Sequence, residues 1–347
     1  MAHLLELSTN DLGRWLADRG LPRYRSDQVR RWLFTARADD FRGMTDLSRS
    51  LQKELARHFH IWSTRTVRSV RSADGTEKLV LQLEDDATIE CVLLRDAVRR
   101  TFCVSTQVGC AMGCVFCASG LDGVHRNLSP GEIIEQMLRL KQRLGGDETL
   151  SHLVVMGMGE PLANLDALLP ALDQVSSASG LGLSCRRITI STVGIPAAMR
   201  RLADHPRQYR LAVSLHAPND ELRNQIVPTN RNTGLSQIVA AADHYFDVSR
   251  RRLTYEYVLL AGVNDQAEHA RQLARLLGRR EAIVNIIPYN RVPGLPYRTP
   301  SRAAQRQFRT ILTERGIRVK FRHRKGHAIS AACGQLRRQT VAADGPR

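Results

Sequence analysis

From Thr101 onward, short runs of β-branched and apolar residues alternate with helical stretches, and no other feature of the chain limits its fold so tightly. The runs are TFCVS, HLVVM, RITIS, RLAVSL, LTYEYVLL and AIVNII, separated by segments such as SPGEIIEQMLRLKQRL and DQAEHARQLARLLGRR. Alternation of this kind predicts parallel strands joined by helical crossovers, either a barrel or an open doubly wound sheet. A partial or full barrel is favoured by where the polar residues fall. GMGEP follows HLVVM, STVG follows RITI, SLHAPND follows RLAV and IPYN follows AIVNI. In parallel barrels the loops at the strand C-termini build the active site.

Residues 1 to about 95 differ in texture. Leu12, Trp15, Leu16 and Leu21 predict one amphipathic helix, Val29, Trp32, Leu33 and Phe34 a second, and Leu47, Leu51, Leu55 and Phe59 a third. EKLVLQLEDDATIECVLL then predicts two strands joined by an acidic turn at Asp85 and Asp86. The expected organisation is a helical accessory domain over 1–75, a linking hairpin over 76–95, an α/β core over 96–335 and a basic tail over 336–347. A length of 347 residues also allows a single large domain.

A formal net charge of +17 points to phosphate-bearing polymers or anionic surfaces as partners, with nucleic acid first among them. No acid occurs between Arg315 and Ala343, where Arg318, Lys320, Arg322, Arg324, Lys325, Arg337 and Arg338 stand. The plainer alternative is an Arg-rich solvated surface. No stretch approaches the ~20 apolar residues of a membrane span. The N-terminus lacks a basic segment followed by an apolar one, so the expected compartment is the cytoplasm.

Seven cysteines without a secretion signal argue against a disulfide scaffold and for metal or thiol chemistry. Three of them, Cys110, Cys114 and Cys117, form a CxxxCxxC run in a glycine-containing loop after the first core strand. Three thiolates can hold three corners of an iron–sulfur cubane and leave one iron open to a substrate or cofactor. The alternative is zinc, which wants a fourth ligand, and His125 lies at an unsuitable remove.

CxxxCxxC after the first strand, followed by GMGEP, resembles the radical S-adenosylmethionine superfamily. VVMGMGEPLANLDALLPAL, RRITISTVG, LAVSLHAPNDELRNQIVPTNR, IIPYN and AACGQL occur in the order seen in RlmN-type RNA methyltransferases. The likeness covers essentially the full length. It implies a partial (β/α) barrel of the radical SAM type with a small helical N-terminal domain, one 4Fe–4S cluster, and two molecules of S-adenosylmethionine per turnover. Reduced cluster chemistry would split the cofactor to a 5′-deoxyadenosyl radical. Gly159 and Glu160 match the segment that contacts the cofactor's amino group. Ser191, Ser214, Leu215, His216 and Asn290 match other cofactor contacts. Taken singly these have ordinary explanations: a turn for Gly159, a helix cap for Ser191, a loop asparagine for Asn290.

The resemblance further implies that Cys333 is methylated and carries the methyl group to RNA, that Cys103 resolves the product by forming a transient disulfide with Cys333, and that Glu90 accepts the proton. A carrier makes chemical sense because carbon 2 of adenine is a poor nucleophile. The implied reaction is methylation of carbon 2 of adenosine 2503 in 23S ribosomal RNA and of adenosine 37 in transfer RNA. Two alternatives stay open. One is carbon-8 methylation as in Cfr-type enzymes, against which Pro161 leans. The other is a non-catalytic RNA-binding iron–sulfur redox sensor, which would not require Cys103, Cys333 or Glu90. The implied partners are RNA and an electron donor such as flavodoxin with its reductase, for a monomer with no membrane contact. Cys91 and Cys185 match no functional position, and His58, His60, His152, His205 and His323 join no constellation. One departure stands out: Lys325-Gly326-His327-Ala328-Ile329-Ser330 replaces an acidic stretch that usually precedes AACGQL, which puts the hydrogen bonding of the Cys333 loop in question.

Overall fold

The computed structural model describes residues 1–322 and 325–338. Its centre is a ten-stranded sheet: β1 (Arg65–Arg71), β2 (Glu77–Gln82), β3 (Thr88–Arg95), β4 (Arg100–Cys103), β5 (His152–Val155), β6 (Ile188–Thr192), β7 (Arg210–Ser214), β8 (Leu253–Leu259), β9 (Ala282–Pro288) and β10 (Arg318–Phe321). Spatial order follows chain order from end to end. β1 to β4 pair antiparallel and β4 to β10 pair parallel. Parallel pairing needs crossovers, and these are α4 (Pro130–Gln142), α5 (Leu165–Ser176), α6 (Pro196–Ala203), α7 (Asp220–Ile226) with α8 (Leu235–Ser249), α9 (Ala267–Leu277) and α10 (Arg302–Glu314). Crossovers of one hand with strand order that never reverses put every helix on the same side. The result is a partial barrel, helices outside. Among the described residues no pairing joins β10 to β1, so the sheet is open.

The six core runs read from the sequence each form a strand. RVKF at β10 was not foreseen, nor was β1, whose RTVRSVR carries three arginines. The hairpin at Asp85 and Asp86 forms as β2 and β3, with Asp86 at φ 61° in the turn, and its strands continue the main sheet.

Alternation with period two separates the faces. Leu153, Ile188, Ile190, Leu211, Val213, Tyr255, Tyr257, Val284 and Ile286 are buried against the helices. Tyr257, its ring 5.3 Å from Phe308, donates its hydroxyl to the Asn264 carbonyl at 2.9 Å. Between those positions come Ser191, Ser214, Glu256 and Asn285, a polar row on the concave face. α4 begins where Ser129 and Glu132 form a reciprocal cap with Pro130 at the first turn.

The N-terminal helices are α1 (Thr9–Ala17), α2 (Arg25–Phe34) and α3 (Arg49–His58). α1 stops before Leu21, and Leu47 lies outside α3 because Ser48 caps it. The chain that follows docks on α4 through Glu135, a fully buried carboxylate accepting the N–H and O–H groups of Ser63 and Thr64 at 2.5–3.0 Å. Because Ile190 packs wholly on the helix side, Ile190→Ala is expected to cost about 2–5 kcal/mol. A urea melt followed by circular dichroism should show a lower midpoint with an unchanged slope.

Candidate functional site

After β4 the chain makes a small antiparallel pair, Gln107–Gly109 with Val124–Asn127, and the cysteine loop lies between its strands. Backbone bonds hold this loop at several points: Cys110 to Gly123 at 2.8 Å, Val115 to Ile226 at 3.2 Å and Ala118 to Gly334 at 2.8 Å. Cys110, Cys114 and Cys117 line one cavity. Burial pushes all three thiols up, Cys110 to about 12. Such thiols stay neutral until a cation displaces their protons. Among the described residues no three Cys, His, Asp or Glu side chains converge on a point that would hold a single ion. A cubane takes each cysteine on a separate iron, so this donor set fits a cluster better than one zinc.

The strand-end residues form the opposite wall. Gly159 has φ +100°, and a Cβ there would come 2.6 Å from Gln107 Cβ and 2.8 Å from its backbone nitrogen, so only glycine fits. Glu160 is buried; its carboxylate accepts the Leu162 N–H at 3.0 Å and the Val193 N–H at 2.9 Å, and burial pushes its pKa up. Ser191 and Ser214 stand side by side, their hydroxyls 3.4 Å apart. His216 adopts a left-handed backbone at φ 61°, costly for a residue with a Cβ. Its Nδ1 accepts the Val258 N–H at 3.1 Å, its ring meets Phe116 edge-on at 5.0 Å, and burial lowers its pKa to about 3. The ring is therefore neutral with its proton on Nε2, a donor. Asn290 gives its Nδ2 to the Cys333 carbonyl at 3.2 Å, while its buried Oδ1 has no partner. An orphaned buried acceptor on a cavity wall suits a ligand that brings a donor. Leu215 does not line the cavity; it is buried in the core, and its backbone N–H bonds the Glu256 carbonyl at 3.0 Å.

The segment after β10 crosses the concave face and brings Cys333 to the same cavity as the three clustered thiols. The altered stretch before AACGQL docks on the β1–β2 turn and on the end of β3. Gly326 N–H bonds Asp74 at 2.9 Å, and Lys325 reaches the Arg95 carbonyl at 2.7 Å and Asp96 at 3.0 Å. A Cβ on Gly326, at φ +69°, would meet Thr76 at 2.8 Å and Ala331 at 2.9 Å. Further on, Gln335 holds the Arg291 carbonyl at 2.8 Å and Ser119 the Leu336 carbonyl at 2.6 Å. These bonds fix the segment that leads to Cys333. They also use up charge: Lys325 and Arg337 pair with Asp96 and Asp122, and Arg322 lies inside the cavity. Arg324, His323 and the tail beyond 338 lie outside the described residues.

Cys103, at the end of β4, is buried, and both it and Cys333 are free thiols. Burial, with Cys333 nearby, pushes Cys103 up to about 12. Glu90 does not line the cavity; it is 1% exposed in β3 and ion-paired to Lys78 at 2.8 Å, its other oxygen accepting the Arg337 N–H at 3.0 Å. Sequence reasoning missed Lys78, Glu256, Arg322 and Arg223. Glu256 is buried on the cavity wall, accepting from Asn285 at 2.8 Å, and burial raises its pKa. Arg322 lies against Met156 Sδ at 3.7 Å, and the neighbouring Cys333, Glu256 and Cys103 raise its pKa against the effect of burial. Arg223, 1% exposed, donates to the carbonyls of Val193 at 2.5 Å and of Ser214 and Leu215 at 2.9 Å, and to Asn230 at 2.5 Å.

Comparison with known proteins gives a consistent set of matches. The family model described as the radical SAM superfamily matches residues 104–274, and one described as the ribosomal RNA large subunit methyltransferase N-terminal domain matches residues 2–61. A probable dual-specificity RNA methyltransferase RlmN of Rhodopirellula baltica is 59% identical over 97% of this chain and 91% of the relative. Its counterpart from Halalkalibacterium halodurans is 42% identical over 95% and 92%. The crystal structure of a radical SAM methyltransferase from Sphaerobacter thermophilus superposes with a TM-score of 0.94 at 42% identity, over 97% of this chain and 99% of that one.

Arg223 ties together the loops after β6 and β7. Arg223→Met would strand three backbone carbonyls at about 1–3 kcal/mol each. Its thermal midpoint is expected to fall by several degrees, with Arg223→Lys recovering only part because an ammonium cannot span the guanidinium fork. Differential scanning calorimetry of the three proteins checks this.

Proposed function

Since the chain belongs to the RlmN-type dual-specificity RNA methyltransferases of the radical S-adenosylmethionine superfamily, we propose that it methylates carbon 2 of adenosine 2503 in 23S ribosomal RNA and of adenosine 37 in transfer RNA. Cys110, Cys114 and Cys117 would hold the 4Fe–4S cluster. Gly159, Glu160, Ser191, Ser214, His216 and Asn290 would receive S-adenosylmethionine, with Leu215 contributing through its backbone. When bound, these groups supply a methyl group and a hydrogen-abstracting carbon radical, at a cost of two cofactor molecules per turnover.

The protein's own residues do the rest. His216 offers a neutral N–H and Asn290 an open acceptor, so cofactor recognition here uses neutral partners. Cys333 carries the one-carbon unit on sulfur to carbon 2. Glu90, outside the cavity with its oxygens on Lys78 and the Arg337 N–H, takes the proton that leaves carbon 2 once the segment carrying Arg337 lifts to admit the base. Cys103 then attacks the Cys333 sulfur; the carbon–sulfur bond breaks, its electron pair stays with the carbon, which gains a proton, and a Cys103–Cys333 disulfide remains for an outside dithiol to reduce. Burial pushes the Cys103 thiol up to about 12, so its attack requires that it first lose a proton. The basic surface supplies the phosphate contacts, and the target base must leave its stack to reach the cavity. One-electron reduction comes from a flavodoxin-type donor, and the enzyme works as a cytoplasmic monomer. No helix among the described residues is long and apolar enough to cross a membrane.

The observation that carries this reading is Cys333: it lines the cavity of the three thiols and stands close enough to Cys103 to shift it. A cluster with only a structural or sensing role has no use for that sulfur. Cys333→Ala is expected to abolish RNA methylation, and tryptic peptides of the wild-type protein should show Cys333 methylated. Mass spectrometry of ribosomal and transfer RNA from a deletion strain tests the substrate. Unchanged carbon-2 methylation in that strain sinks the assignment.

A further inference from the structure

Lys78 projects from β2 beneath the segment that carries Cys333. Its side chain is 6% exposed, and its ammonium lies 2.8 Å from Glu90 Oε1 and 3.1 Å from the Ser330 carbonyl oxygen. The register of β2 and β3 pairs Lys78 with Val92 and Val80 with Glu90, so Lys78 and Glu90 are diagonal neighbours on one face, within reach of long side chains. The second Glu90 oxygen accepts the Arg337 N–H at 3.0 Å. One cation thus touches both the carboxylate and the backbone three residues before Cys333, and the same carboxylate is held from the far side of that cysteine.

We propose that Lys78 is a positioning residue for the proton transfer: its ammonium clamps the Glu90 carboxylate and the Ser330 carbonyl together, setting the proton acceptor against the sulfur carrier. This rests on the roles given above to Glu90 and Cys333. The step itself is an acid–base one. Once the carbon on Cys333 is bonded to carbon 2, the carbon–hydrogen bond there breaks, its electron pair stays with the ring, and the proton goes to a Glu90 oxygen. The adduct's surplus single electron must leave with that proton, and the cluster that Cys110, Cys114 and Cys117 would hold would supply the one-electron acceptor. An ion pair with both partners this buried holds its geometry firmly, and removing the cation leaves a buried carboxylate without its counter-charge. The Ser330 carbonyl gives the clamp a function that charge balance alone does not require.

Lys78→Met, Lys78→Arg and Glu90→Gln distinguish the outcomes, assayed with full-length reconstituted enzyme and a ribosomal RNA fragment carrying the target adenosine. In Lys78→Met, methylation of Cys333 should persist at the wild-type level, read by peptide mass. Release of methylated RNA should fall by about 100-fold, the low end of what a positioned base contributes. A protein–RNA adduct that survives denaturing electrophoresis should accumulate, as in Glu90→Gln, and Lys78→Arg should clear it. Should Lys78→Met fail to fold, Lys78→Gln, which retains a donor for Ser330, carries the same comparison. The proposal is overturned if the Lys78 variant releases product at the wild-type rate, or if it loses Cys333 methylation in parallel with product and Lys78→Arg restores neither. If Glu90→Gln itself forms no adduct, the role given to Glu90 fails, a result separate from failure at Lys78.

Discussion

Charge buried on the concave face of the sheet, and the segment that covers it, set the terms for the rest of the molecule. A parallel barrel ordinarily fills its interior with layers of branched apolar side chains. Here the interior carries Lys78, Glu90, Glu256 and Arg322, each costly to take out of water unless a partner meets it. Stability must come from the other face, where aliphatic and tyrosine side chains pack against the helices. The division of labour is visible along single strands: Tyr255 and Tyr257 turn out to the helices and Glu256 turns in.

The same low-dielectric interior sorts the site's titratable groups. Raised thiols, a neutral His216 and a buried Glu160 all minimise charge in the cavity. A bound cation would reverse this balance for the three cysteines and would find the remaining wall mostly neutral. Arg322 is the exception, a fixed positive charge kept by the groups around it.

Much of this architecture was legible in the chain. The core strands showed because each combines an apolar run with a polar or glycine-rich exit, and the cysteine spacing marked the loop that matters. β10 escaped because RVKF alternates charge with apolar residues and has no long run, being an edge strand. Gly159, Glu160, Ser191 and His216 are singled out by motif order, and all four line one cavity. Lys78, Glu256 and Arg223 were not found, since an isolated charged residue in a strand or short helix looks like solvent-facing decoration; only long-range packing shows that each is buried with a partner more than a turn away. In the basic run near the C-terminus, Lys325 and Arg337 have acidic partners from elsewhere in the chain, Asp96 and Asp122, which the local sequence does not show.

The bond from Lys78 to the Ser330 carbonyl has a mechanical consequence. Ser330 and Cys333 are three residues apart, and three residues of fully extended chain span at most about 10 Å. While that bond holds, the Cys333 backbone stays within that span of the Ser330 anchor. A longer excursion, out toward a folded RNA, requires the anchor to release first. Release of Ser330 would leave the Lys78–Glu90 ion pair in place, since both of its partners stand on the sheet, in β2 and β3, so the covering segment can lift without taking the cation from the carboxylate.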